Sequence, residues 1–193
     1  MQIDTETILM THSDLRTLMR NRSADLHWAL DTGIGSLTDH RAYQAYVTGS
    51  HCFRSALEPA MAEAEALTGW QPLFLAKELT QDMRQLGLTA SAPPTAPKLG
   101  DCASMLGALY VLEGSSLGAV LLARRAAALG FDPESGAKHL ARQTSDPRRW
   151  SRFQAFLQQP GIDADAACKA ARAVFSLALT AFRVPHPALA NPG

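Results

Sequence analysis

The amino-acid sequence predicts a single, all-α domain. Apolar residues recur along most of the chain at the spacing of a helix, and no stretch alternates convincingly as a half-buried strand would. Glycines and prolines fall between these periodic segments, where they are typical of helix ends and loops. With 193 residues, 47% of them hydrophobic, the chain is long enough to bury one substantial core.

The N-terminal half is predicted to form three helical segments, at residues 13–30, 39–67 and 73–86. Gly33 and Gly35 follow the first of them, as expected after a helix end. Thr38 is predicted to be the N-cap of the second, whose spacing continues past Pro59 with a kink or a short break. Gly87 ends the third segment.

The C-terminal half opens on the longest predicted internal loop, residues 89–97, which contains three prolines. Helices are then predicted at residues 99–129, 148–157 and 163–182, with a polar, non-helical stretch at 132–147. Neither side of the loop could hold a good core alone. We therefore predict an N-terminal extension at 1–12, one helical domain at 13–183 and a flexible tail at 184–193.

Composition argues against several classes of protein. Lys plus Arg and Asp plus Glu both number 18, so no overall positive charge attracts nucleic acid or an anionic membrane. The N-terminus lacks the basic flank and apolar run of a signal peptide, and no window approaches the ~20 apolar residues of a membrane span. Cys52, Cys102 and Cys168 have no metal-ligand spacing and are predicted to be buried, reduced thiols. A cytoplasmic protein is expected.

Residues 113–119 are the most unusual segment of the sequence. Gly114 and Gly118, with Ser115 beside the first of them, interrupt an otherwise strong helical pattern, although each glycine costs a helix ~1 kcal/mol relative to alanine. Composition alone favours a turn between two helices or a close helix–helix crossing. The functional alternative is a kinked helix whose backbone must lie against a flat ligand, where a Cβ would collide.

His27 is the histidine that borders an apolar helix face. Taken alone, such a residue is more often a core or boundary histidine than a ligand. None of the six histidines forms a metal-binding pair with another, so a multi-histidine metal site is not expected. No motif for an activated serine or cysteine nucleophile is present.

These two features together resemble the bacterial haem oxygenase family. Residues 109–118, Leu-Tyr-Val-Leu-Glu-Gly-Ser-Ser-Leu-Gly, are similar to the family's distal-helix signature Tyr-Val-x-Glu-Gly-Ser-x-Leu-Gly-Gly. Residues 19–31 resemble the first-helix pattern Leu-Arg-x-x-Thr-x-x-x-His-x-x-Leu-Asp/Glu, which holds the proximal haem ligand. Weaker similarity at 43–46, 79–87, 150–157 and the last helix extends the resemblance over about residues 13–183.

The resemblance implies a haem-oxygenase-like helical bundle with a glycine-kinked distal helix and a specific set of site residues. His27 becomes the proximal iron ligand, and Gly114 and Gly118 become the distal backbone over the haem, with no distal histidine. Ser115 is expected to hold a water for proton delivery, and Arg20 to bind a haem propionate. Tyr110 and Arg152 are expected as further haem contacts.

The implied activity is oxidative opening of haem to biliverdin, carbon monoxide and ferrous iron. Dioxygen and an external electron donor, a ferredoxin or a reductase, are the implied partners, because the sequence carries no flavin or nicotinamide motif. A phytochrome that receives biliverdin is a further possible partner. Two alternatives stay open: a non-catalytic haem sensor or carrier, and a helical interaction module without a cofactor.

The sequence departs from the family pattern at three positions. Ala119 stands where the family has a second consecutive glycine, which places the shape of the distal pocket in question. Ser23 replaces the usual threonine, and Trp28 follows His27 where a polar residue is common.

Overall fold

Nine helices and no strand are found in residues 14–187, the part of the chain that the computed structural model describes. The helices are α1 Leu15–Arg22, α2 Ala24–Ile34, α3 His40–Ala60, α4 Ala64–Thr68, α5 Ala76–Gln85, α6 Cys102–Ala128, α7 Lys138–Gln143, α8 Arg149–Phe156 and α9 Ala164–Ala181. The all-α prediction is confirmed. The predicted extension at 1–12, and the tail beyond residue 187, lie outside the described residues.

The predicted first helix is two helices, because Ser23 interrupts it. The Ser23 backbone leaves the helical region at φ −116°, and its Oγ donates to the Met19 carbonyl oxygen at 2.6 Å. Such side-chain bonds to the preceding turn compete with regular helix geometry. The second part, α2, runs four residues beyond the predicted end and stops at Gly35, whose φ is +64°.

The start of α3 differs from the prediction by one residue. Asp39, rather than Thr38, is the N-cap, and its carboxylate accepts from the Ala42 N–H at 2.8 Å. Pro59 lies in the last turn of α3, where the chain breaks briefly before α4. The predicted interruption near the proline is therefore confirmed.

Helix α6 is continuous through both glycines of residues 113–119. It begins at a capping box, in which Asp101 and Ser104 exchange side-chain and backbone hydrogen bonds, and it ends at Ala128. The prediction of a turn between two helices at this point is therefore wrong. The kink stays a prediction. Among the described residues, α6 is long and apolar enough to cross a membrane, but half of its apolar stretch is buried inside the protein, as in a core helix.

Gly107, and not the later glycines, makes the close crossing of α6 with α9. An added Cβ at Gly107 would lie 2.1 Å from the Ala167 carbonyl oxygen, which is backbone and cannot rotate away. The sequence had suggested such a crossing for Gly114 or Gly118, where an added Cβ meets nothing closer than 3.7 Å.

Gly107→Ala is expected to destabilise the protein by about 1–3 kcal/mol, the typical cost of overpacking. The loss should appear although alanine favours a helix by about 1 kcal/mol over glycine. Chemical denaturation would measure the free energy of unfolding. Gly118→Ala, on the same helix with nothing within 4 Å of the new Cβ, is the matched control and should not lose stability.

The stretch predicted to be non-helical at 132–147 contains a short helix, α7. Its N-terminus is capped by Asp82 of α5, whose two carboxylate oxygens accept from the backbone N–H groups of Lys138 at 2.8 Å and His139 at 2.9 Å. Because the capping group lies 56 residues away in sequence, the local pattern carries no sign of it.

Apolar side chains form two cores that share α3 and α6. The larger lies between these helices and α1, α2, α8 and α9; the smaller lies between them and α5 and α7. Cys52 and Cys168 are buried as predicted, whereas Cys102 is exposed in the first turn of α6. Val184, predicted to begin a frayed tail, instead packs against the larger core.

Candidate functional site

A cavity of about 850 Å³ lies between the helices. Its volume falls in the range of about 300–1,000 Å³ that is usual for small-molecule sites. Six of the seven predicted site residues line it: Arg20, His27, Tyr110, Gly114, Ser115 and Gly118. Residues up to 98 positions apart in sequence therefore meet at one site. Most of the remaining lining is apolar, including Phe53, Leu75, Leu79, Val111, Leu117, Leu122 and Phe175.

His27 lies on the wall of the cavity that α2 forms. Its Nδ1 is 3.1 Å from an Asp31 carboxylate oxygen one turn later, and its ring meets the Phe175 ring edge to face at 5.5 Å. The side chain is 60% exposed. Because Asp31 engages Nδ1, Nε2 is the nitrogen suited to bind a metal, and the carboxylate fixes the orientation of the ring.

Gly114 and Gly118 form a stretch of bare helix backbone on the wall that α6 contributes. Among the described residues, a Cβ at Gly118 would meet nothing within 4 Å, and one at Gly114 would touch only the Trp150 ring, at 3.7 Å. Both glycines line the cavity. Side chains at these two positions would fill part of the cavity. Because glycine has no Cβ, a ligand has room to lie against the helix backbone.

Two arginines of α1 give the cavity one basic edge. Arg16 and Arg20 are one helical turn apart, and both line the cavity with Tyr110. Burial raises the pKa of the Tyr110 phenol, while the charges of Arg20 and Arg16 partly oppose that rise. Arg16 was missed in the sequence, although the four-residue spacing from Arg20 places both on one helix face.

Arg152, predicted to contact the haem, does not line the cavity. It is exposed and pairs with Asp146 at 2.5 Å. The neighbouring Arg149 points inward and binds both carboxylate oxygens of the buried Glu113, at 2.6 and 2.7 Å. Trp70 donates to the same carboxylate at 3.0 Å. Glu113 of the glycine motif therefore ties α6 to α8 and to the segment after α4.

Polar side chains gather in one part of the cavity, here called the polar corner. Its members are Tyr46, Ser50 and Arg54 of α3, Ser115 of α6, and His139 and Gln143 of α7. Ser115 Oγ donates to the Leu112 carbonyl at 2.6 Å and accepts from Gln143 Nε2 at 2.8 Å. It is also 3.4 Å from Arg54 Nη2. Apart from Ser115, the sequence did not identify this group, although the i, i+4, i+8 spacing of its α3 members indicated a shared face.

Arg54 is a buried charge with several partners. Its guanidinium is 3.5 Å from Glu58 and donates to the Leu73 carbonyl at 3.2 Å. Burial lowers the pKa of Arg54 and raises that of Glu58, and the attraction between the two opposes both shifts. Glu58 also accepts from the backbone N–H of Leu75 at 2.7 Å. The pair thus holds the start of α5 in place, and Arg54 adds a positive charge to the lining of the cavity.

Known proteins with similar sequences include two bacterial heme oxygenases. That of Xanthomonas campestris pv. campestris (strain 8004) is 35% identical over 94 residues, which are 48% of this chain and 55% of that protein. Heme oxygenase PigA of Pseudomonas aeruginosa is 32% identical over 122 residues, 60% of this chain and 61% of that protein. The chain thus spans little more than half the length of these relatives. No family model matches it.

A solved structure has the same fold. It is the heme oxygenase of Neisseria meningitidis, described with NO and CO bound, and it superposes with a TM-score of 0.69 over 91% of this chain and 95% of that one. The two sequences are 20% identical. The chain is therefore similar in sequence to bacterial heme oxygenases over 48% and 60% of its length, and it has the fold of a bacterial heme oxygenase.

Ala119, which departs from the heme oxygenase sequence pattern, lies away from the cavity. Ala119 is 1% exposed in the smaller core and is not among the lining residues. Its methyl group therefore fills core space. The two other departures do reach the site: Ser23 and Trp28 both line the cavity.

Two buried histidines are expected to make the protein less stable in mild acid. Burial lowers the pKa of both His51 and His139, so the unfolded chain binds protons more readily than the folded protein. Their contribution is complete above about pH 6.5 and is lost as pH falls through the lowered folded pKa, at up to about 1.4 kcal/mol per pH unit for each.

Denaturation at a series of pH values between about 7 and 5 would measure this dependence. His51→Asn and His139→Asn should each flatten it relative to the wild type. A slope in both variants equal to that of the wild type would contradict the assignment.

Proposed function

We propose that the protein is a haem oxygenase, which binds haem through His27 and opens the ring with dioxygen and electrons. The expected products are biliverdin, carbon monoxide and ferrous iron. The observation that carries the proposal is the cavity itself, in which an oriented histidine and a bare glycine backbone line the same space. The names of the sequence relatives point to the same reaction.

The lining of the cavity fits a flat, apolar ring with two acidic groups. Trp28 and Leu117 line it although they are 70% and 61% exposed, and a bound ring would cover them. Arg16 and Arg20 supply two cations at one edge, matching the two propionates of haem in number and sign. The ring thus gains apolar burial along its faces and charge pairing at one edge.

Each part of the site has a separate task in the proposed reaction. Haem, as substrate, supplies the iron that binds and reduces dioxygen. His27 holds the ligand in place, and Asp31 keeps Nδ1 of the ring occupied and Nε2 available. The glycine backbone leaves room for dioxygen and water beside the ligand, because no side chain extends from it.

The polar corner would control protons in the otherwise apolar cavity. Ser115 Oγ has its hydrogen engaged by the Leu112 carbonyl, while Arg54 and Gln143 donate toward its oxygen. The guanidinium of Arg54 and the amide of Gln143 would orient water molecules in the cavity. Water held in this way can deliver protons without a charged acid beside the ligand.

The partners follow from the chemistry of the proposed reaction. Haem and dioxygen are the substrates, and the electrons would come from a separate ferredoxin or reductase in the cytoplasm. Release of iron would serve iron acquisition, and release of biliverdin would supply a chromophore to a phytochrome. We propose both as possible roles of the same activity.

Addition of hemin to the purified protein tests the proposal. We expect one equivalent to bind with a Soret band, and the band to decay under air with ascorbate or a ferredoxin system as a bilin forms. Binding without any bilin would favour a haem sensor or carrier and would overturn the proposed reaction. Absence of binding would leave only a helical module without cofactor.

A further inference from the structure

A buried histidine–aspartate pair borders the cavity on the side of α7. His139 and Asp82 have side chains that are 1% and 0% exposed, and His139 Nδ1 lies 2.6 Å from Asp82 Oδ2. Asp82 also accepts the two backbone N–H groups that begin α7. One carboxylate therefore caps the helix and binds the histidine ring at the same time.

The second ring nitrogen of His139 is unpaired among the described residues. Nε2 is fully buried and makes no hydrogen bond to any described residue. Leaving a buried polar atom unpaired costs about 1–3 kcal/mol, and yet His139 belongs to the lining of the cavity. His51 Nδ1 is likewise buried and unpaired among the described residues but lies away from the cavity, whereas His139 lines it, so the cavity is the space from which Nε2 can be paired.

The electrostatics around the ring decide its protonation state. Burial lowers the pKa of His139; Asp82 and Glu78 oppose this, and the charge of Arg54 adds to it. We take the neutral ring as the state at pH 7. Because Asp82 is a carboxylate that can only accept, Nδ1 carries the hydrogen and Nε2 is left with a lone pair.

A purely structural role does not account for this nitrogen. Capping of α7 needs the Asp82 carboxylate and the backbone of residues 138 and 139, but it needs no polar side chain at position 139. Gln143, one turn later on α7, also lines the cavity and does reach a partner, Ser115. Two consecutive turns of α7 thus present polar groups to one space.

We propose that His139 is a positioning residue of the haem oxygenase reaction, whose Nε2 accepts a hydrogen bond from a water molecule in the polar corner. Asp82 fixes the ring as an acceptor, and the bond orients that water toward the ligand. No proton leaves or enters the pair, because His139 only orders the water that delivers it. The inference rests on the proposed function.

Two amide variants separate the two ring nitrogens. His139→Asn keeps an N–H near the position of Nδ1, so that Asp82 stays paired, and removes the group at Nε2. His139→Gln retains a polar group near the position of Nε2. His51→Asn is the matched control, because His51 is also buried but does not line the cavity.

The first measurement uses nitrogen-15 NMR of the histidine rings in wild-type protein without hemin. We expect the neutral ring of His139 at pH 7, with its hydrogen on Nδ1. A hydrogen on Nε2, or a doubly protonated ring, would overturn the proposal, since neither can accept the bond from water. This readout does not depend on catalysis.

The second measurement follows bilin formation by the hemin-loaded proteins. We expect His139→Asn to bind hemin within about twofold of wild type but to turn over at least about tenfold more slowly, in line with the loss of an ordered proton path. His139→Gln should recover most of the rate, and His51→Asn should match wild type. Wild-type turnover by hemin-bound His139→Asn would overturn the role of His139 alone, whereas a missing Soret band in wild type would overturn the proposed function.

Discussion

Gly118→Leu is expected to abolish bilin formation while leaving the protein folded. The Cβ of the new side chain meets no atom of residues 14–187 within 4 Å, so none of these residues obstructs it. Its remaining carbons would extend into the cavity that Gly118 lines. Helix α6 would itself gain about 1 kcal/mol, because glycine is the poorer helix former. Hemin affinity, turnover and the free energy of unfolding should be measured on the same preparation.

Val120→Leu is the matched control for this substitution. Val120 lies two residues further along α6, is 47% exposed and does not line the cavity. The substitution places a leucine side chain on the same helix, as Gly118→Leu does, and should leave both turnover and hemin affinity unchanged. Normal turnover in Gly118→Leu would contradict the role of the glycine backbone, and an unfolded variant would contradict the open space at this position.

His27→Ala is expected to remove the histidine-ligated Soret spectrum and to stop turnover. The side chain is 60% exposed, and its charged contact is Asp31 on the same helix, so its removal should cost little folding stability. The apolar walls and the two arginines stay in place. Imidazole added to the hemin-loaded variant should restore the spectrum, because the vacated space can hold the free ligand.

His40→Ala is the control for this prediction. His40 is exposed at the start of α3, packs edge to face on Phe131 at 5.0 Å and does not line the cavity. Its replacement should change neither the spectrum nor the rate. A wild-type Soret spectrum in His27→Ala would show that another residue binds the iron.

The sequence was sufficient for the features that depend on local spacing. The periodic segments became helices, and the resemblance that linked His27 to residues 109–118 identified two walls of one cavity. Arg20 and Tyr110, which also line the cavity, were predicted because they belong to the same two motifs. Helical periodicity also implies that Arg16 shares the face of Arg20.

Contacts between segments that are distant in sequence could not be predicted from local patterns. Helix α7 forms because a carboxylate on α5 caps it, and the polar corner assembles from three helices. Gly107 has no unusual neighbours in sequence and becomes critical only where α9 crosses it. Arg152 and Arg149 are both arginines on α8, but packing turns only the second toward Glu113.

The most direct test of the account is the product analysis of a single turnover by the hemin-loaded wild-type protein under air with a reductant. The account predicts that loss of the Soret band is matched by equal amounts of biliverdin and carbon monoxide, and that Gly118→Leu yields neither. Soret decay without carbon monoxide, or equal yields from the two proteins, would contradict the claim that this cavity directs oxidative opening of haem.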